Sequence, residues 1–247
     1  MASRITCEVR DESGVTVVGL RGALDLGTMR SVYTVLDHCL GSQPDALVVD
    51  LGGVTVVDPL ALSVFAATAR QAADWPSVPV VLCSAPPDAA AWLAESTACR
   101  VVPVRRTCAE ATRAAGAAAS PRLRARLDPV AGACRRAREL VGDACGRWNL
   151  PELVGPASLV LSELVGNVVR HAHTPMQVTL TLRRPYLHVA VADGSRTAAR
   201  ADSADRYAEG GRGLMLVREM TQRWGSHPHG DGKVVWAVLP ANRPAAA

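Results

Sequence analysis

From Val15 to Val104, short apolar runs alternate with stretches of helical period: VTVVGL, TMRSVYTVLDHCLG, DALVVDL, PLALSVFAATARQAA, VPVVLC, PPDAAAWLAEST and RVVPV. β-rich runs separated by helices predict parallel or mixed strands joined by crossovers, which is an α/β domain. Asp58-Pro59 predicts a helix start, with the aspartate as cap and the proline in the first turn, where its missing N–H costs nothing. From Ala109 to Ser120 the apolar period fades and Pro121 follows, so a helix tail runs into a linker.

The second half carries a different order. RLRARLD predicts a strand, and two helices fill Pro129 to His173, punctuated by Asn149-Leu150-Pro151. In the second helix Leu159, Leu161, Leu164, Val165 and Val168 form the expected buried stripe. MQVTLTLRR and YLHVAVAD pair around Arg184-Pro185, SRTAARADSADRYAEGG is a polar loop, GRGLMLVREMTQRW is a helix opened by glycines, and KVVWAVL is the last strand. Helices, hairpin, loop, helix and strand make an α+β sandwich with one layer of each. The expected organisation is a domain over 1–116, a linker over 117–121 and a second domain over 122–243.

Composition narrows the function. At 247 residues and 49% hydrophobic side chains, each half has enough apolar material for its own core. Only nine residues are aromatic, so stacking platforms for bases or sugars are scarce. The seven cysteines are never closer than nine positions and show no metal-ligand spacing, which predicts buried free thiols in a reducing, cytoplasmic setting. The sequence shows neither a charged-then-apolar leader nor an unbroken apolar run of about 18 residues, so no membrane is expected. Cut at Ser120, the first part carries 9 basic and 12 acidic residues for a net −3, and the second 18 and 11 for +7. Opposite signs favour docking of the halves in cis or steering of an acidic partner to the second. With no run of five like charges, direct nucleic-acid binding is not expected.

Three features carry candidate chemistry. Glu163 and Asn167 lie four apart on the helix SLVLSELVGNVVRHA and project from one face, with Arg170 and His171 a turn further on. A carboxylate and an amide carbonyl so placed can hold a substrate hydroxyl and a Mg²⁺ ion, or can simply form a solvated helix face. Asp193-Gly194-Ser195 closes the strand YLHVAVAD, either as a turn or as a carboxylate accepting from the exocyclic amine of adenine. Gly210-Gly211-Arg212-Gly213 leads into a helix N-terminus, which offers N–H donors to phosphate oxygens or serves as an ordinary flexible cap. His171 and His173 have no third ligand spaced to join them and fit a helix end.

In this order, SELVGNVVRHA, VAVADGS, a polar loop, GGRGLMLV and GKVVWAVL resemble the N box, G1 box, lid, G2 box and final strand of the histidine-kinase-like ATPases, in particular the short anti-sigma-factor serine kinases of actinobacteria. The resemblance covers about residues 121–240 and implies a nucleotide between sheet and helices. It implies Glu163 as general base for a serine hydroxyl, Asn167 as Mg²⁺ ligand, Asp193 as reader of adenine with Gly194 beside it, and Gly211, Arg212 and Gly213 against the phosphates. Where the family often has Gly-Lys-Thr, this chain has Gly232-Lys233-Val234, which removes a hydroxyl expected near the nucleotide. Residues 5–116 resemble a STAS domain, the anti-sigma-factor antagonist fold, through RGALDLGT and LVVDLGGVTVVDPLALSVFAATA. Antagonists usually read Asp-Ser-Ser/Thr-Gly-Leu at the second string; Asp58-Pro59-Leu60-Ala61-Leu62 has no hydroxyl at either acceptor position, and nothing in the pattern supports Ser63 instead.

The function expected is a cytoplasmic partner-switching transcription regulator, an ATP- and Mg²⁺-dependent serine kinase fused to a STAS domain that docks in cis without an acceptor. Its implied partners are a sigma factor, a separate STAS antagonist and a second copy of the chain. The alternative is a non-catalytic module that sequesters a sigma factor or antagonist, with ATP structural or absent.

Overall fold

The computed structural model describes residues 5–116, 120–197 and 212–241. The chain divides into two compact units, Met1–Ala119 and Ser120–Ala247.

In the first unit the strands β1 (Ile5–Glu12), β2 (Val15–Leu24), β3 (Ala46–Val56), β4 (Val80–Cys83) and β5 (Val104–Arg105) lie side by side in chain order. β1 and β2 are antiparallel around Ser13-Gly14, both at positive φ, and the remaining pairs are parallel. The hydrophobic pattern does not announce β1. Its sequence ITCEVRDE is polar and mostly exposed, as befits an edge strand that buries only Ile5 and Cys7 in part.

Helices α1 (Leu26–Gly41), α2 (Ser63–Asp74) and α3 (Pro87–Glu95) enclose the main core on one face of this sheet, around Leu20, Leu24, Leu36, Leu47 and Phe65. Alternation along the strands sends Val15, Val17, Ala46 and Val48 to the other face, where α4 (Cys108–Gly116) contributes Ala111 and Ala115. A capping box between Asp25 and Thr28 starts α1. Asp58 accepts from the Leu60 N–H at 2.9 Å with Pro59 in the first turn of a short helix that leads into α2.

The thiol expectation needs a correction. Cys83 at the end of β4 and Cys108 at the start of α4 form a disulfide, while Cys39, Cys99 and Cys145 are buried free thiols and Cys7 and Cys134 are half-buried. Twenty-five positions separate the pair, and only the packing of α4 beside β4 brings them together.

The second unit is an antiparallel sheet under three helices. Its strand order is β6 (Arg122–Leu127), β7 (Met176–Arg183), β8 (Tyr186–Asp193), β10 (Gly232–Pro240), β9 (Arg223–His229). Helices α5 (Ala133–Trp148), α6 (Val154–Asn167) and α7 (Arg212–Met220) flank one core, with Leu180, Leu187, Val189, Val235 and Ala237 from the strands meeting Leu140, Leu161, Leu164 and Val217. Asn149 ends α5 in the left-handed region, the conformation in which Asn is tolerated after a helix. The stretch Pro151–Ala172 is long and apolar enough to cross a membrane by composition, but its buried residues belong to this core.

Two expectations change. Leu159 of the predicted stripe is 38% exposed, whereas Leu161, Leu164, Val165 and Val168 are buried. The helix expected to run through Trp224 stops at Met220, and Arg223–His229 is instead the edge strand β9. RWGSHPH has no apolar alternation, and its Pro228 is tolerated because an edge strand need not donate on both sides.

His188 lies on the sheet face opposite the helices, 4% exposed, with the Tyr186 ring edge-on at 6.5 Å and no hydrogen bond to either ring nitrogen among the described residues. Burial, then Arg183 and Arg223, push its pKa down to about 4. Because the folded value lies below the unfolded one, this contribution is complete above the unfolded pKa of about 6.5 and is lost as pH falls toward about 4. Denaturant unfolding between pH 7 and pH 4 should show the wild type losing roughly 3 kcal/mol that His188→Leu does not lose. Equal acid limbs for the two proteins would contradict the assignment.

Candidate functional site

The helix α6 brings Glu163 and Asn167 to one half-buried face, and Arg170 follows in a π turn spanning Val168–Ala172. The Arg170 guanidinium Nη2 donates to Asn167 Oδ1 at 3.1 Å and stands 3.7 Å from Glu163 Oε2. His173, left-handed at φ 53°, ends this turn and releases the chain toward β7. Next, Thr174 Oγ1 accepts from the Gly194 N–H at 2.9 Å, which pins the exit of α6 to the end of β8.

Asp193 sits at that strand end, paired in register with Lys233 of β10. Its carboxylate Oδ1 receives the Lys233 ammonium at 2.9 Å and the Ser195 N–H at 2.7 Å; Oδ2 takes part in neither contact. The side chains of the pair are 2% and 12% exposed, aspartate first, so the interaction is barely screened by water. Lys233 also reaches the Ser195 carbonyl at 3.4 Å. Such proximity of strands depends on Gly232, where an added Cβ would run into the Asp193 carbonyl oxygen.

Of the sequence candidates, Glu163 and Asn167 are thus together on α6, and Asp193 and Gly194 are together at the end of β8. α6 packs against β8 and α7. Arg212 and Gly213 open α7, and Gly211 and the loop over 198–210 lie outside the described residues. Sequence reasoning missed the pairing of Lys233 with Asp193, the Gly232 contact and the placement of Arg170 across Asn167. The short string Gly232-Lys233 was the only available signal, since strand register is needed to see its partner. The Val234 departure loses its force: alternation puts Lys233 on the same face as Asp193 and the core residue Val235, so Val234 points to the opposite face.

The model of the histidine kinase-like ATPase domain matches residues 95–239. The chain belongs to that family. A STAS domain model matches residues 6–111 ahead of it, so a STAS α/β domain precedes a histidine kinase-like ATPase α+β domain. The two matches overlap over 95–111, a stretch of the first unit that runs from the end of α3 through β5 into the start of α4. Among curated proteins, the anti-sigma-F factor antagonist RsfB of Mycobacterium tuberculosis is 33% identical over 67 residues, 27% of this chain and 55% of that protein. The match therefore spans about half the length of the curated relative. Among solved structures, an anti-sigma factor antagonist from Mycobacterium paratuberculosis is 25% identical over 46% of this chain and 95% of that one, with a TM-score of 0.41. The RsbU and RsbW domains of Rv1364c from Mycobacterium tuberculosis are 19% identical over 52% of this chain and 34% of that one, with a TM-score of 0.40.

Lys233→Met strands the buried Asp193 carboxylate and should cost about 3 kcal/mol in chemical denaturation, because removing one partner of a buried pair leaves a charge without compensation. Adding Asp193→Asn to it should recover part of the loss, giving a coupling of at least about 1 kcal/mol in the double-mutant cycle. Additive losses would mean that the two side chains do not depend on one another.

Proposed function

We propose that this protein is a partner-switching regulator whose second unit binds MgATP and phosphorylates a serine of a separate STAS antagonist. The observation that carries the reading is the pair of acceptors presented by α6 and β8 in a histidine kinase-like ATPase unit: Glu163 beside Asn167, and Asp193 held through Oδ1 by Lys233 and Ser195. The residues fit the nucleotide. A carboxylate with one oxygen engaged by two donors offers its other oxygen to a single exocyclic amine, as adenine requires. The Asn167 amide oxygen is the kind of hard ligand that Mg²⁺ takes alongside phosphates and waters. Residues Gly211, Arg212 and Gly213, before and at the α7 N-terminus, would face the phosphates.

Bound MgATP supplies the transferable phosphoryl group and the charge neutralisation that dominates such reactions. Glu163 would accept the proton of the incoming serine hydroxyl and orient its oxygen, Asn167 would hold the Mg²⁺ and Asp193 would hold the adenine. The STAS unit presents Pro59 and Leu60 where antagonists carry hydroxyls, so it serves as a docking partner in cis and is not a substrate. The opposite net charges of the two halves, −3 and +7, support that docking. Sigma factor and antagonist binding, and pairing with a second copy, are parts of the same proposal; the antagonist relative supports the first of these.

One observation favours a second reading, a non-catalytic sequestering module. Leu26, Val57 and Leu60 are 55%, 61% and 62% exposed at the ends of β2 and β3, an apolar set suited to holding a protein partner. Phosphate transfer to a serine-bearing STAS antagonist decides between them. Glu163→Ala should lower transfer by about 10²-fold or more with ATP affinity unchanged, and Asn167→Ala should weaken ATP binding only when Mg²⁺ is present. Transfer that survives Glu163→Ala removes the assigned base; ATP binding without transfer by the wild type establishes the sequestering module.

A further inference from the structure

Arg170 occupies the two groups that the nucleotide reading needs free. Its guanidinium donates to Asn167 Oδ1 at 3.1 Å and pairs with Glu163 Oε2 at 3.7 Å, so one cation covers both the oxygen assigned to the metal and the carboxylate assigned to the proton. The position is built into the helix. Gly166 is buried inside α6, and an added Cβ there would lie 3.0 Å from Arg170 Nη1 and 3.4 Å from Nη2. Glycine is a poor helix former, so its place in a helix interior calls for a packing reason, and the guanidinium lying over it supplies one. Arg170 itself sits in the π turn Val168–Ala172, the kind of local widening found at functional sites.

We infer that Arg170 is a built-in counter-ion that holds Asn167 and Glu163 together until a nucleotide-bound divalent cation displaces it. The inference rests on the nucleotide reading above and adds a regulation of the same site. A guanidinium and a Mg²⁺ ion repel, and both seek the one amide oxygen of Asn167, so metal arrival requires the arginine to leave. Departure also removes the cation beside Glu163, so the carboxylate becomes available to a hydroxyl only once the metal is seated. Arg170 is therefore a positioning residue: it acts through Asn167 and Glu163, and its signature is the metal dependence of binding.

The test is calorimetric titration of ATP into the full chain at stepped Mg²⁺ concentrations, for the wild type, Arg170→Met and Gly166→Ala. Arg170→Met removes the cation; Gly166→Ala keeps it but fills its seat. Both should lower the Mg²⁺ concentration that gives half-maximal enhancement of ATP binding by roughly threefold, the scale of a half-exposed charge pair. A merely structural role for Arg170 would shift melting temperature without moving that midpoint. A midpoint unchanged or raised in either variant overturns the inference while leaving the nucleotide site intact. Absence of ATP binding in the wild type at any Mg²⁺ concentration overturns the nucleotide reading itself, and the inference with it.

Discussion

Lys233 and Asp193 meet at the buried end of the antiparallel β8–β10 pair, and that contact fixes the aspartate on which the proposed site depends. Burying two charges costs free energy that only close contact and further hydrogen bonds offset. Here the compensation is a 2.9 Å ammonium contact, with the Ser195 N–H donating to the same carboxylate oxygen. The consequence is directional. An aspartate that could rotate freely at a strand end would present either oxygen, whereas one held through Oδ1 presents Oδ2. Gly232 makes the arrangement possible, since any side chain there would run into the Asp193 backbone.

From that fixed end the rest of the site follows by short covalent and hydrogen-bonded steps. Gly194 donates to Thr174, and Thr174 follows the π turn that carries Arg170 beneath Asn167 and Glu163. The end of β8 and the exit of α6 are thus tied by the chain itself and by one backbone N–H held on a threonine hydroxyl, which limits how far either drifts. The first unit has a fixed turn of its own at the end of β3. Pro59 and Leu60 form the capped turn that Asp58 starts, and neither side chain carries a hydroxyl.

Much of this could be read from the chain, because apolar period and capping residues are local signals. The strands VTVVGL and YLHVAVAD, the Asp58-Pro59 start and the helix bearing Glu163 and Asn167 all announce themselves within a dozen residues. What escaped was set by partners distant in sequence. β1 and β9 are edge strands whose polar composition lacks alternation, and β9 was absorbed into the preceding helix. Leu159 matches the helical period yet is exposed, since periodicity identifies a stripe but not its width. The Cys83–Cys108 bond and the Lys233–Asp193 pair join residues 25 and 40 positions apart, and only the packing of α4 and the register of β10 bring them within reach. For the same reason Val234 looked like a lost contact until alternation turned it to the opposite face.

The central claim is that the fixed aspartate makes this unit an adenine site. A parallel calorimetric titration of ATP and GTP, each with Mg²⁺, into the full chain tests it most directly. A carboxylate left with one oxygen suits the single exocyclic amine of adenine and not the paired N1 and N2 donors of guanine, so ATP should bind at least about tenfold more tightly. Equal affinity for the two nucleotides, or affinity for neither, would contradict the account.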